Sequence, residues 1–176
     1  ILLNMGPMVN SRSADYAPTL NINSNTLLFT SKRSELDLGI KQRSNEDLYI
    51  SLRDDYGIWN KAKPVSQINS RYNEGSATLS GDGQTLYFSR CECMDCIGDC
   101  DLFVASLQPD STWGDIQNLG INVNSLSWDS HPSLSRNEDT LYFASDRLGG
   151  FGLSDIYFTY KLPGGQWAKA RNMGPV

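Results

Sequence analysis

The strongest constraint in this 176-residue sequence is that it states one pattern three times. Thr26-Leu27-Leu28-Phe29, Thr85-Leu86-Tyr87-Phe88 and Thr140-Leu141-Tyr142-Phe143 recur 55 to 59 residues apart, ahead of Asp47-Leu48-Tyr49, Asp101-Leu102-Phe103 and Asp155-Ile156-Tyr157. Trp59, Trp113 and Trp167 each stand twelve residues after those aspartates, so both landmarks keep a 54-residue step. The bursts are dense in β-branched and aromatic residues and bounded by turn formers, which is the pattern of short antiparallel strands. Nothing in them has helical spacing.

A unit of about 50 residues with four short strands cannot cover both faces of its sheet, and must stack on its neighbours. The expected fold is therefore all-β, a β-propeller of three four-stranded antiparallel blades plus one outer strand, forming part of a larger ring of about six blades. The blades are expected over residues 15–72, 73–128 and 129–176. Residues 1–14 are expected to hold the outer strand and linker of a preceding blade, with Ile1 to Met5 as that strand. The reason is that Asn4-Met5-Gly6-Pro7 repeats as Asn172-Met173-Gly174-Pro175. Further blades of the same chain, or a second copy, are expected to close the ring.

Composition narrows the function. The net charge of -5 argues against nucleic acid and against an anionic membrane surface, both of which need clustered Lys and Arg. No apolar run is long enough for a transmembrane helix. No charged-then-apolar leader precedes Ile1, so any secretion signal is expected to have been removed or to lie outside these residues.

Four cysteines fall within ten residues, Cys91-Glu92-Cys93-Met94-Asp95-Cys96-Ile97-Gly98-Asp99-Cys100, and none elsewhere. The spacing could wrap a tetrahedral zinc or an iron–sulfur cluster. The favoured reading is two disulfides, Cys91 with Cys100 at the loop base and Cys93 with Cys96 as a tight inner bridge, in an oxidising compartment. Neither metal nor cofactor is expected. Asp47, Asp101 and Asp155 are read as turn-fixing carboxylates, and Trp59, Trp113 and Trp167 as packing residues. Arg33, Arg90 and Arg147 recur at the end of the second strand and are read as structural partners of carboxylates rather than a ligand-facing rim. His131, the lone histidine, aligns with Ala17 and Ala77 and reads as a variable site rather than a base. Ser80-Gly81-Asp82-Gly83-Gln84-Thr85 is one residue short of a sialidase Asp-box and reads as a turn. No catalytic residue is assigned.

Leu79-Ser80-Gly81-Asp82-Gly83-Gln84-Thr85-Leu86-Tyr87-Phe88, and still more Ser145-Asp146-Arg147-Leu148-Gly149-Gly150-Phe151-Gly152-Leu153-Ser154-Asp155-Ile156-Tyr157, resemble the WD40-like (PD40, TolB-type) propeller repeat. The version they are most similar to occurs in envelope proteins of Gram-negative bacteria that also carry an OmpA-like domain. That resemblance implies a non-enzymatic scaffold in the periplasm, associated with the outer membrane or peptidoglycan, in some cases within type IX secretion or motility machinery. Two other classes stay open: the propeller of a larger hydrolase of the prolyl-oligopeptidase type, and a glycan-binding propeller. Divergence between repeats is concentrated at the connection between second and third strands, Ser31 to Glu46, Cys91 to Cys100 and Leu148 to Ser154. This rim, with Glu35, Asp37, Glu92, Asp95 and exposed Phe151, is the expected contact for an envelope protein partner.

Overall fold

The computed structural model describes residues 4–33 and 45–175. Twelve strands fall into three sheets, and no helix occurs among the described residues. The first sheet holds β1 (Asp15–Leu20), β2 (Thr26–Ser31), β3 (Asp47–Leu52) and β4 (Lys63–Pro64). The second holds β5 (Asn73–Leu79), β6 (Thr85–Cys91), β7 (Cys100–Leu107) and β8 (Trp113–Asn118). The third holds β9 (Asp129–Leu134), β10 (Thr140–Ser145), β11 (Asp155–Tyr160) and β12 (Arg171–Asn172). Each sheet pairs its strands antiparallel in chain order, which is the topology of a propeller blade.

The faces alternate as the two-residue strand period requires. Leu28, Leu48, Val65 and Ile68 of the first blade pack on Leu79, Leu86, Phe88, Phe103 and Trp113 of the second. Tyr87, Leu102 and Val123 on the reverse of the second blade pack on Leu141, Phe143, Tyr157 and Trp167 of the third. Val9 covers Leu27, Phe29 and Tyr49 on the outer face of the first blade. The first and third blades share no strand-to-strand contact among the described residues, so the sheets form an open arc. On the free face of the third blade, Ile156 and Met173 are exposed.

Several expectations change in detail. The inner strands begin at Asp15 and Asp129 rather than at Pro18 and His131, where the sequence suggests them, because their first residues are hydrogen-bonded acids rather than hydrophobes. Residues 1–3 of the anticipated outer strand lie outside the described residues, and Asn4 and Met5 are not in a strand. Trp113 opens an outer strand, but Trp59 and Trp167 make only isolated bridges, to Arg53 and Lys161, ahead of two-residue strands. Each inner strand also carries a bulge in which two residues oppose one. Its first residue is left-handed in every blade: Ala17 (φ 50°), Ser76 (φ 46°) and His131 (φ 57°). His131 therefore corresponds to Ser76, not Ala77.

Candidate functional site

Each recurring arginine builds a latch that ties its blade to the segment leading into it. The guanidinium lies over rings of its own blade, 4.4 Å from the centroid of Tyr49 for Arg33, 5.0 Å from Phe103 for Arg90 and 4.6 Å from Tyr157 for Arg147. It pairs with an acid in the first two residues of the inner strand: Arg33 with Asp15 at 2.6 Å, Arg90 with Glu74 at 2.8 Å and Arg147 with Asp129 at 2.6 Å. It also donates to a main-chain carbonyl of the segment just before its own blade, at Val9 (2.8 Å), Ile68 (3.0 Å) and Val123 (2.7 Å). Ser11, Ser70 and Ser125 complete the carboxylates with both amide and hydroxyl. A planar fork with several fixed donors suits this role in a way a lysine does not.

The acids differ in their electrostatics. Burial alone would raise the Asp15 carboxyl, but bonds from Ser31, Arg33 and Ser11 outweigh it and hold it below the ordinary carboxylate range. Burial dominates at Glu74, which is pushed up despite Ser70 and Arg90.

The segments between blades carry a second device that the repeat reading passed over. Asn69 clamps the main chain of Leu48, accepting from its N–H at 2.9 Å and donating to its carbonyl at 2.9 Å. Asn124 does the same to Leu102, at 2.9 and 3.0 Å. The clamp asparagine, the latch serine and the latch acid form one motif, Asn-Ser-x-x-x-Asp/Glu, at 69–74 and 124–129, and the same spacing recurs at 10–15, where Asn10 donates to Asn4 Oδ1. That motif was the available signal, and the exchange of Asp for Glu74 partly hides it.

The cysteines are joined as Cys91–Cys100 and Cys93–Cys96. Cys91 and Cys100 are cross-strand partners in the β6–β7 ladder, so the outer bridge closes the loop where its strands meet. The loop keeps the turn of the third blade beneath its cysteines. The Asp101 carboxylate accepts from the amides of Ile97 (2.7 Å) and Gly98 (3.1 Å). Asp155 holds those of Phe151 (2.6 Å) and Gly152 (3.1 Å). Asn118 and Asn172 each add a side-chain bond to these aspartates. Asp47, their counterpart in β3, is also engaged.

The loop reaches beyond its own blade. The Asp99 amide donates to the Ser127 carbonyl at 3.2 Å, and Cys100 bridges Trp128. A Cβ on Gly98 would run into the Ser125 and Ser127 carbonyl oxygens, so glycine is required by close approach. On the other side, Arg71 donates to Tyr72 Oη at 2.9 Å and approaches Met94 Sδ at 3.6 Å. The cysteine loop is thus a clasp touching the segments on both flanks of the second blade.

The expected rim residues sort as follows. Glu92 and Asp95 are exposed on the clasp, and Phe151 is 66% exposed on the third blade's connection. Glu35 and Asp37 lie outside the described residues. Met94, at 87% exposure, and Leu126, Leu148 and Leu153 stand on the same rim, and a reading that took the acids and Phe151 did not single them out. Trp113 and Trp167 are buried in the two cores between blades, and Trp59 packs half-buried against the outer cluster of the first blade; the cations Arg53 and Lys161 lie over Trp59 and Trp167, 5.9 and 5.4 Å away. The exposed His131 ring sits 5.4 Å from that of Trp128.

No family model matches the chain, and no curated protein matches it. Among solved structures it is similar to the putative TolB of Agrobacterium tumefaciens, with 15% identity over 95% of this chain and 60% of that one and a TM-score of 0.56. It is similar also to the periplasmic gluconolactonase PpgL of Pseudomonas aeruginosa (12% identity, 90% of this chain, 44% of that one, TM-score 0.54). A thermostable family-43 glycoside hydrolase gives 13% identity over 97% of this chain and 61% of that one, with a TM-score of 0.51. The chain spans about three fifths or less of the length of these proteins. Identity at this level speaks to architecture alone, and with the blade topology it establishes a β-propeller fold present as an open arc of three blades.

Proposed function

We propose that the chain is a non-enzymatic scaffold module that binds a protein partner of the bacterial envelope through the rim formed by the second-to-third-strand connections. The observation that carries this reading is the clustering of exposed apolar side chains, Met94, Leu126, Leu148, Phe151 and Leu153, on that rim, beside the acids Glu92 and Asp95. Exposed apolar groups interspersed with charges suit a recognition surface. The double-bridged clasp holds part of that surface rigid, which lowers the ordering cost of binding. The latch acids and turn aspartates are engaged in hydrogen bonds that hold the blades together, which favours scaffolding over chemistry at those groups. Further blades, from the same polypeptide or a second copy, complete the ring.

The disulfides favour an oxidising compartment, here the periplasm, with association to the outer membrane or peptidoglycan as the finer reading. A place in a peptidoglycan-anchored, secretion or motility assembly extends the same proposal. The test is a triple substitution, Met94→Asp, Phe151→Asp and Leu153→Asp, read by cross-linking and recovery of partners from envelope extract. Recovery is expected to fall at least tenfold, on the order expected for the loss of one or two hot-spot contacts, with an unchanged melting temperature. Equal recovery by the folded variant would refute the rim.

A further inference from the structure

On the opposite rim, where the first-to-second and third-to-fourth strand turns lie, the two blade junctions differ. Between the second and third blades, the Glu138 carboxylate accepts a hydrogen bond from the Gly81 amide and closes the junction. Glu138 occupies the left-handed position of its turn (φ 60°), and Gly83 occupies the same position in the second blade (φ 73°). Gly81 corresponds in the same way to Ile22. The junction between the first and second blades therefore has the amide but not the carboxylate.

Two further exchanges make this junction apolar. Leu52 stands where the next junction has Ser106, and Leu107 where it has Lys161. A cavity of about 210 Å³ results, walled by Ile50, Leu52, Leu79, Leu107 and Trp113, with Asn21, Thr26 and Gly83 among its polar and backbone margins. No acceptor among the described residues takes the Ile22 N–H, and Ile22 itself is 76% exposed.

We propose that this slot binds a small free carboxylic acid with an apolar body. The acid group takes the place that Glu138 holds in the sister junction and accepts from the Ile22 amide, while the body fills the space over Trp113. The volume lies below the usual range for drug-sized ligands and suits one ring with a short tail. This site is on the other rim from the proposed partner surface and does not depend on it.

The probe is 3-phenylpropanoate, titrated into the full chain labelled with nitrogen-15, with 3-phenylpropanamide as the uncharged control. Saturable shifts at the Trp113 indole and the Ile22 amide are expected, with the acid favoured about tenfold because a charged acceptor makes the stronger bond. Gly83→Glu copies the third blade, and a Cβ at Gly83 meets nothing within 4 Å. It should fold and weaken the acid at least tenfold. Leu107→Trp, which fills the slot from its wall without adding a cation, gives a second block should the first variant lose stability. Ile22→Pro removes the donor at the second position of the Asn21–Ser24 turn, where proline is well tolerated. It should erase the preference for acid over amide while leaving amide binding in place. Equal binding of acid and amide by the unaltered protein, absence of saturation, or undiminished binding by folded Gly83→Glu would each overturn the assignment. Tighter binding of a peptide ending in phenylalanine would overturn the small-ligand source.

Discussion

Replacing Arg147 by Leu tests the latch of the third blade. The substitution removes the bond to Asp129 at 2.6 Å, the bond to Ser145 Oγ at 2.8 Å, the bond to the Val123 carbonyl at 2.7 Å and the stacking on Phe143 and Tyr157. It also strands Asp129, whose side chain is 0% exposed, without its cation. Breaking a buried pair by removing one partner costs about 3–5 kcal/mol, most of it the uncompensated charge. In a domain of this size each kcal/mol moves the melting temperature by about 2–4 °C, so a fall on the order of 10 °C is expected in calorimetry. Arg147→Lys keeps the charge but loses the fork and should fall between the two. The double variant Arg147→Leu with Asp129→Asn should recover part of the loss, because the stranded charge is gone. A single-variant cost below about 1 kcal/mol, or strict additivity in the double variant, would refute the claim that this arginine fastens the third blade to the segment leading into it.

Gly98→Ala should cost at least about 2 kcal/mol, read by chemical denaturation, because the methyl meets two carbonyl oxygens; a neutral result would show that the clasp can lift away from Ser125–Ser127. Removing the Cys91–Cys100 bridge as a serine pair should cost about 2–3 kcal/mol by loop entropy, and hydrogen exchange should rise first at residues 91–100 and 125–128; a rise spread evenly over all three blades would count against a local clasp. The latches should also split by pH. Asp15 is held below its unfolded value, so its contribution is present above the unfolded pKa and fades as pH falls through the folded one. Glu74 is held above its unfolded value, so its contribution is present below the unfolded pKa and fades as pH rises through the folded one. Asp15→Asn should therefore flatten the acid limb of the stability profile, whereas Glu74→Gln should remove a loss on the rising side; identical profiles for the two variants would contradict the assignment.

How much of this could be read in the chain depends on the range of each interaction. The strands were legible because Thr-Leu-Tyr-Phe and Asp-Ile-Tyr carry their burial pattern locally, and the turn aspartates because their partners lie three or four residues away. The latch acids were not, since Asp15, Glu74 and Asp129 sit 16 to 18 residues before their arginines and outside any apolar pattern. The clamps were hidden for the same reason, Asn69 and Asn124 acting on main chain 21 and 22 residues away. The cysteines drew attention away from Ile97-Gly98-x-x-Asp101, which is the same turn as Phe151-Gly152-x-x-Asp155. The slot could not be seen from one repeat at all, because it arises from what Gly83, Leu52 and Leu107 lack relative to their counterparts in the next blade.

The latch has a consequence for how such chains can change over generations. Acid, serine and arginine all travel with the incoming blade and the segment just before it, and the latch asks of the preceding unit only a peptide carbonyl, at Ile68 or Val123. Every residue type supplies that group. A duplicated or transplanted cassette that begins at its Asn-Ser segment brings its own fastening and needs from its new neighbour only main-chain groups and an apolar face of similar depth. Copy number can then drift by whole units without co-ordinated substitution at each seam, while the exposed connections diverge independently of the joints.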